Sequence, residues 1–319
     1  MKFPICDFQF PTRRERTARG RCASGKVAAF TMIEIALCLA IIGVLPIGMN
    51  TQRDTREETT VNQDATVLLE DIRNGVRGAD DLTNYVYAIT NYATPYNSAG
   101  LPTTPVITYG FTFAASSLST TGPLPAAYNL TNGANIIGLL STPEFTDAGT
   151  GLPIPNLNFG GISNHVVACV RSLSGLAAEK PPQDNAIMIG DTFSYHIYCV
   201  NAPVAMDTNL INQNLWQPQT YSPGNLVFYN WDFWQATAIN PATVIPGQSV
   251  TWVKVPNFAL DLAANQHELR MTFLWPVQPN GTVGNGRQTF RATVAGQLAR
   301  DATNQYSYFY QPQSFKPQP

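Results

Sequence analysis

FTMIEIALCLAIIGVLPIGM, residues 30–49, is the stretch on which the fold turns. It runs for twenty residues with one charge, Glu34. Wound as an α-helix at 1.5 Å per residue, it spans roughly 30 Å, about the thickness of a bilayer core. Upstream, residues 1–29 carry seven basic side chains (Lys2, Arg13, Arg14, Arg16, Arg19, Arg21, Lys26) against Asp7 and Glu15, a net +5. The remaining 290 residues hold 12 basic and 19 acidic residues, a net −7. A basic flank before an apolar run is expected to stay on the cytoplasmic side, sending the acidic body across. That body, lacking the basic surface phosphate binding needs, is not expected to take nucleic acid as a partner.

Three ordinary readings of the apolar run compete: a cleaved secretory signal, a permanent signal anchor and a buried core helix. The run exceeds the usual 7–15 residues of a signal peptide, and its far end, IGMNTQRD, lacks a small-residue cut site. Glu34 is the informative residue. A carboxylate in hydrocarbon costs at least ~2.5 kcal/mol, so a bare anchor has no reason to carry one, although four residues into the run it also reads as a boundary charge.

The stretch Ala29-Phe30-Thr31-Met32-Ile33-Glu34, after a basic leader and before an apolar run, resembles the processing motif of type IV prepilins, a family that includes the pseudopilins of type II secretion. The resemblance implies that a prepilin peptidase cuts between Ala29 and Phe30 and that Phe30 becomes an N-methylated mature terminus. It also implies that Glu34, the fifth mature residue, guides assembly with other pilin or pseudopilin subunits. Ala29 stands where the family usually has Gly. An unpaired buried carboxylate is the expensive state, so pairing Glu34 with the new amine of Phe30 would penalise a subunit in the wrong axial register. Ala36, Ala40 and Gly43 permit close helix approach, and Pro46 removes one backbone donor.

From Asn50 to Gly78 the pattern remains helical and becomes amphipathic. Val61, Ala65, Leu68, Leu69, Ile72 and Val76 fall on one face. Beyond Asp80 the helix signals fade. Tyr92–Thr108 reads as loop. Short β-prone runs follow at Val106–Phe113, His165–Val170, Phe193–Val200, Asn225–Trp231, Ser249–Val255 and Leu269–Leu274, the clearest alternation lying in the third and last. The turn-rich Asn280–Gly286 closes a hairpin, and short helices are expected at Asn135–Leu140 and Asn257–Asn265. The expected architecture is α+β and pilin-like: a cleaved leader (1–29), a membrane and stalk helix (30–79), a β-rich periplasmic domain (80–310) and a flexible tail (311–319).

No catalytic motif emerges. His165, His196 and His267 match no compact zinc spacing, and neither a nucleophile elbow nor a phosphate loop occurs. Neither metal nor cofactor is expected. His267-Glu268 reads as a surface polar pair and His196 as a strand histidine. Cys6 and Cys22 lie in the leader and Cys38 in the apolar run, leaving Cys169 and Cys199 in the body. An oxidising compartment allows these two to form a disulfide; each also reads as a buried free thiol. The aromatic group Trp216, Tyr221, Phe228, Tyr229, Trp231, Phe233 and Trp234 suits core packing, or a carbohydrate or partner surface.

The expectation is therefore a non-enzymatic minor pilin or pseudopilin. It would sit first in inner-membrane lipid as a single-pass protein, N-terminus cytoplasmic and body periplasmic, and then in a pilus or pseudopilus. The alternative is a signal-anchored periplasmic ligand-binding or adhesion protein that keeps its N-terminus.

Overall fold

The computed structural model describes residues 32–75, 80–113, 116–118, 122–124, 128–173, 193–204, 208–256 and 258–315. The chain divides into two units, residues 1–52 and 53–319. Helix α1, Met32–Asn74, is shared between them. Of its side chains, those of 33–48 lie outside the described residues.

The second unit is built on an antiparallel sheet. Its strands are β1 (Val86–Tyr96), β2 (Ile107–Thr112), β3 (Ser116–Leu118), β4 (Gly122–Pro123), β5 (Phe145–Thr146), β6 (Gly161–Arg171), β7 (Ser194–Pro203), β11 (Gln266–Val277) and β12 (Val283–Ala295), in the order β12-β11-β7-β6-β1-β2-β3-β4 with β5 paired to β6. Between β7 and β11 the chain makes a three-stranded sheet of its own, from β8 (Leu226–Tyr229), β9 (Asp232–Ala236) and β10 (Trp252–Val255). A last hairpin pairs β13 (Gln297–Arg300) with β14 (Tyr308–Gln311). Helices α2 (Gly133–Leu140), α3 (Thr208–Gln213) and α4 (Phe258–Asn265) complete the unit, with a 3₁₀ turn at Asp80–Asn84.

Alternation along the central strands decides which face is buried. In β7 the core row is Tyr195, Ile197 and Cys199; in β11 it is Leu269, Met271, Phe273 and Trp275. β1 has a bulge between Val86 and Ala88, which re-phases the strand so that Val86 and Ile89 both face inward. Against this face lies the apolar stripe of α1. Val61, Ala65, Leu68 and Ile72 are fully buried there, each large side chain contributing about 1.5–3 kcal/mol. α2 covers the neighbouring region with Ile136, Ile137, Leu139 and Leu140, and Asn132 caps it by accepting from the Ala134 N–H at 2.8 Å. Its turn at Gly138 lies so close to β14 and the residues before it that a Cβ there would sit 2.5 Å from Ser307 Cβ and 2.8 Å from Phe309 Cζ. Gly138→Ala gains about 1 kcal/mol of helix propensity but overpacks a rigid contact at about 1–3 kcal/mol. A net loss is expected in urea melts, and a stabilised variant would show that the contact yields.

Two expectations are corrected. Among the described residues no helix is long and apolar enough to cross a membrane, and the unit is mostly β. The α+β arrangement with a membrane and stalk helix is therefore not what is seen, nor is the single-pass inner-membrane placement that depended on it. Among the described side chains of α1 the physical reason lies in residues 49–74, where three basic (Arg53, Arg56, Arg73) and six acidic side chains (Asp54, Glu57, Glu58, Asp64, Glu70, Asp71) leave a single apolar stripe; the apolar run's side chains at 33–48 lie outside the described residues. That stripe is spent on the sheet, as part of the β domain's own core.

One polar residue joins the stripe. Asp64, 2% exposed, accepts from the Tyr195 hydroxyl at 2.9 Å, the Leu173 N–H at 3.0 Å and the Ser172 hydroxyl at 3.2 Å. The carboxylate fixes the helix to the ends of β6 and β7. It also pushes the Tyr195 phenol further above its ordinary range, after burial, the larger cause.

Candidate functional site

The residues singled out in the sequence do not converge. Ala29 and Phe30 lie outside the described residues, as does the Glu34 side chain, although its backbone belongs to α1. Cys169 and Cys199 are free thiols. They occupy adjacent strands, but Cys199 pairs in register with Val166 and Cys169 with His196, an odd offset that sends the two thiols to opposite faces. Burial pushes the Cys199 thiol up to about 12, and Cys169 is raised in the same way. His165 is exposed on the outer face, where His196 is half-buried. His267 is not the surface residue expected: 1% exposed, it begins the buried row of β11, its ring 5.8 Å from that of Tyr310. Among the described residues no three His, Cys, Asp or Glu side chains are grouped to hold a metal ion.

The aromatic group builds the small sheet. Tyr221, Val227, Ala236 and Trp252 form one cluster, with Trp216 and Trp234 packed against it; Ile211, Phe228 and Phe233 form another, with Trp231 and Phe159. The β8–β9 turn places Asn230 at φ 51° and Trp231 at φ 63°. A left-handed Trp is strained, and its ring is held between Phe159 and Phe228, at 5.6 and 5.9 Å.

The described residues enclose a different site, which sequence reading missed. Where the inner face of the main sheet reaches the ends of β1 and β6, the core row turns polar, and a cleft of about 220 Å³ opens. Its floor is an amide relay. Asn164 donates to the Pro143 carbonyl and the Thr146 hydroxyl, each at 3.1 Å, and this fixes its Oδ1 toward the Nδ2 of Asn91, also at 3.1 Å. Asn91 is 8% exposed, and its remaining Oδ1 has no hydrogen-bond partner. Leaving such a buried acceptor unmet costs about 1–3 kcal/mol.

One wall is the loop 147–151. Asp147 Oδ2 accepts from the Thr150 N–H (2.7 Å), the Thr150 hydroxyl (2.8 Å) and the Gly149 N–H (3.1 Å), and these bonds hold its carboxyl below the usual carboxylate range. The opposite wall comes from the β13–β14 hairpin. Arg300 donates to the carbonyls of Thr150 and of Gln305, and the Tyr308 hydroxyl donates to the Gly151 carbonyl at 2.7 Å. Gly151 is required here: at φ +66°, a Cβ would lie 2.8 Å from the Arg300 guanidinium. The aromatic side is Tyr306, its ring 5.0 Å from Tyr109 and 5.2 Å from Tyr128. Burial raises the phenols of Tyr109 and Tyr306 and takes Tyr308 to about 12, so all three are protonated donors at neutral pH. The cleft thus brings an ionised carboxylate, a guanidinium and phenols into one small volume, over a buried amide oxygen that has no partner.

No protein-family model, no curated protein and no solved structure matches this chain.

Proposed function

We propose that the chain is a minor subunit of a type IV pilus or type II secretion pseudopilus. It is trimmed between Ala29 and Phe30 by a prepilin peptidase, N-methylated on Phe30, and joined to neighbouring subunits through Glu34. The β domain is the part presented for recognition, and it performs no catalysis. The observation that carries this reading is the coincidence of cut site, acid and apolar run in residues 29–49. Supporting it, Val61, Leu68, Ile72 and the Asp64 carboxylate build the stretch of α1 that follows the apolar run into the core of the β domain. Intact mass and N-terminal peptide mapping of the protein from its native cell envelope test it. A chain beginning at N-methylated Phe30 is expected, together with loss of filament incorporation in Glu34→Ala. A chain still carrying residues 1–29 removes the filament reading and leaves a ligand-binding or adhesion protein, for which the cleft beside Asn91 is the observation in favour.

A further inference from the structure

We propose that the cleft lined by Asn91, Asp147, Arg300 and Tyr306 is a binding site for one ring of a neutral, polyhydroxylated sugar, free or at the end of a glycan. The proposal stands whether or not the chain is a filament subunit.

Size comes first. At about 220 Å³ the cleft is smaller than the roughly 300–1,000 Å³ of pockets that bury drug-sized ligands, and it suits a single six-membered ring. Charge comes second. Asp147 and Arg300 stand on facing walls and make no ion pair with each other; Arg300 is occupied by the Thr150 and Gln305 carbonyls, and Asp147 by the N–H and hydroxyl groups of its own loop. An anion entering the cleft meets the carboxylate and a cation meets the guanidinium, so neither is favoured over water. A neutral molecule escapes both penalties.

Hydrogen bonding comes third. All three bonds to Asp147 fall on Oδ2, leaving Oδ1 as an acceptor at the rim. On the floor, Asn91 Oδ1 is a second acceptor, and the relay through Asn164 prevents the amide from turning over to satisfy itself. Two acceptors in need of donors, beside the Tyr109 and Tyr306 phenols, match a ligand whose hydroxyls both donate and accept; the Tyr308 hydroxyl is already given to the Gly151 carbonyl. The ring of Tyr306 adds an apolar face against which the C–H side of a sugar packs. An aliphatic ligand would leave Asn91 Oδ1 unmet, and a planar base has too few donors for both walls.

The test uses the full chain. Glucose, galactose and N-acetylglucosamine are titrated separately by NMR, with sodium acetate and ammonium chloride as charged probes. At least one sugar is expected to bind saturably with a Kd of about 1–10 mM, typical of a few good hydrogen bonds on a small ligand. Asp147→Ala, at the exposed rim, and Asn91→Ala, on the buried floor, are each expected to weaken that sugar at least tenfold. Arg287→Ala on β12, outside the cleft, leaves the Kd unchanged. Should the Asn91 variant misfold, the Asp147 variant and Gln305→Ala, judged folded by circular dichroism, carry the comparison. The proposal is overturned if none of the three sugars saturates, if acetate or ammonium competes with the bound sugar, or if the folded cleft variants bind it as tightly as the native chain.

Discussion

Asp64→Ala is expected to destabilise the β domain by several kcal/mol, about 1–3 kcal/mol for each buried donor left without an acceptor, a large part of the total stability of an ordinary domain. The substitution removes the carboxylate oxygen toward which the Tyr195 hydroxyl, the Ser172 hydroxyl and the Leu173 N–H donate at 2.9–3.2 Å, on a residue 2% exposed. Water does not readily replace the lost acceptor, because Tyr195 is fully buried and the helix stripe closes over it. Asp64→Asn keeps one acceptor oxygen and is expected to lose about half as much. Urea unfolding at neutral pH ranks the variants against Tyr195→Phe, which removes one donor only. If Asp64→Ala cost under about 1 kcal/mol, the carboxylate would not be what fixes α1 to the sheet.

The second large effect depends on pH. Burial drives the His267 imidazole down to about 4, with a weaker opposing pull from the Ala264 backbone. In the unfolded chain the same ring titrates near 6.5. Above that value both states are neutral and the residue contributes nothing to the pH dependence. As pH falls through 6.5 the unfolded chain takes up a proton that the folded chain refuses, so stability drops by about 1.4 kcal/mol per pH unit and by about 3 kcal/mol at pH 4. His196, lowered by burial, acts in the same direction; Glu144 and Asp71, raised by burial, act in the opposite one as they protonate. His267→Phe keeps an aromatic ring beside Tyr310 and removes the titration. Its stability curve between about pH 7 and pH 5 is expected to be flatter than that of the native chain by about 2 kcal/mol. Parallel curves would mean that His267 takes up its proton as readily in the folded chain as in the unfolded one.

How much of this could be read in the chain varies by element. The stripe Val61, Ala65, Leu68 and Ile72 was legible because a helical period stands out against charged neighbours, and β7 and β11 because their alternation is unbroken. The hairpin between β11 and β12 was announced by its Asn and Gly residues. The reading failed where tertiary context supplies what the local pattern lacks. The second half of β1 reads as loop because Asn91, Thr94 and Pro95 interrupt it, yet β2 and β6 pair with it on both sides. His267 reads with Glu268 as a surface pair, although it stands two residues before Leu269 in the buried row that continues through Met271 and Phe273. Asp64 carried a signal that went unused: it lies three residues after Val61 and four before Leu68, on the apolar face, where a solvated carboxylate has no place. The cleft had no such signal, since Asn91, Asp147 and Arg300 are brought together only by the sheet order and the last hairpin. The membrane assignment rested on residues 30–49 and the stalk on the amphipathic pattern of Asn50–Gly78; that apolar stripe, from Val61 on, is buried in the β domain's core instead.

The small sheet has a consequence for how this protein can vary. The chain leaves the main sheet at Pro203 and returns at His267, and these two residues face each other across β7 and β11. The segment between them, with its own three-stranded sheet, is therefore a cassette whose ends meet at a closed seam. It can be lengthened at its own turns while the strands on either side keep their partners, whereas its removal would strip Phe159 of its ring partners Phe228 and Trp231 and the Gly296 N–H of the Asn265 carbonyl.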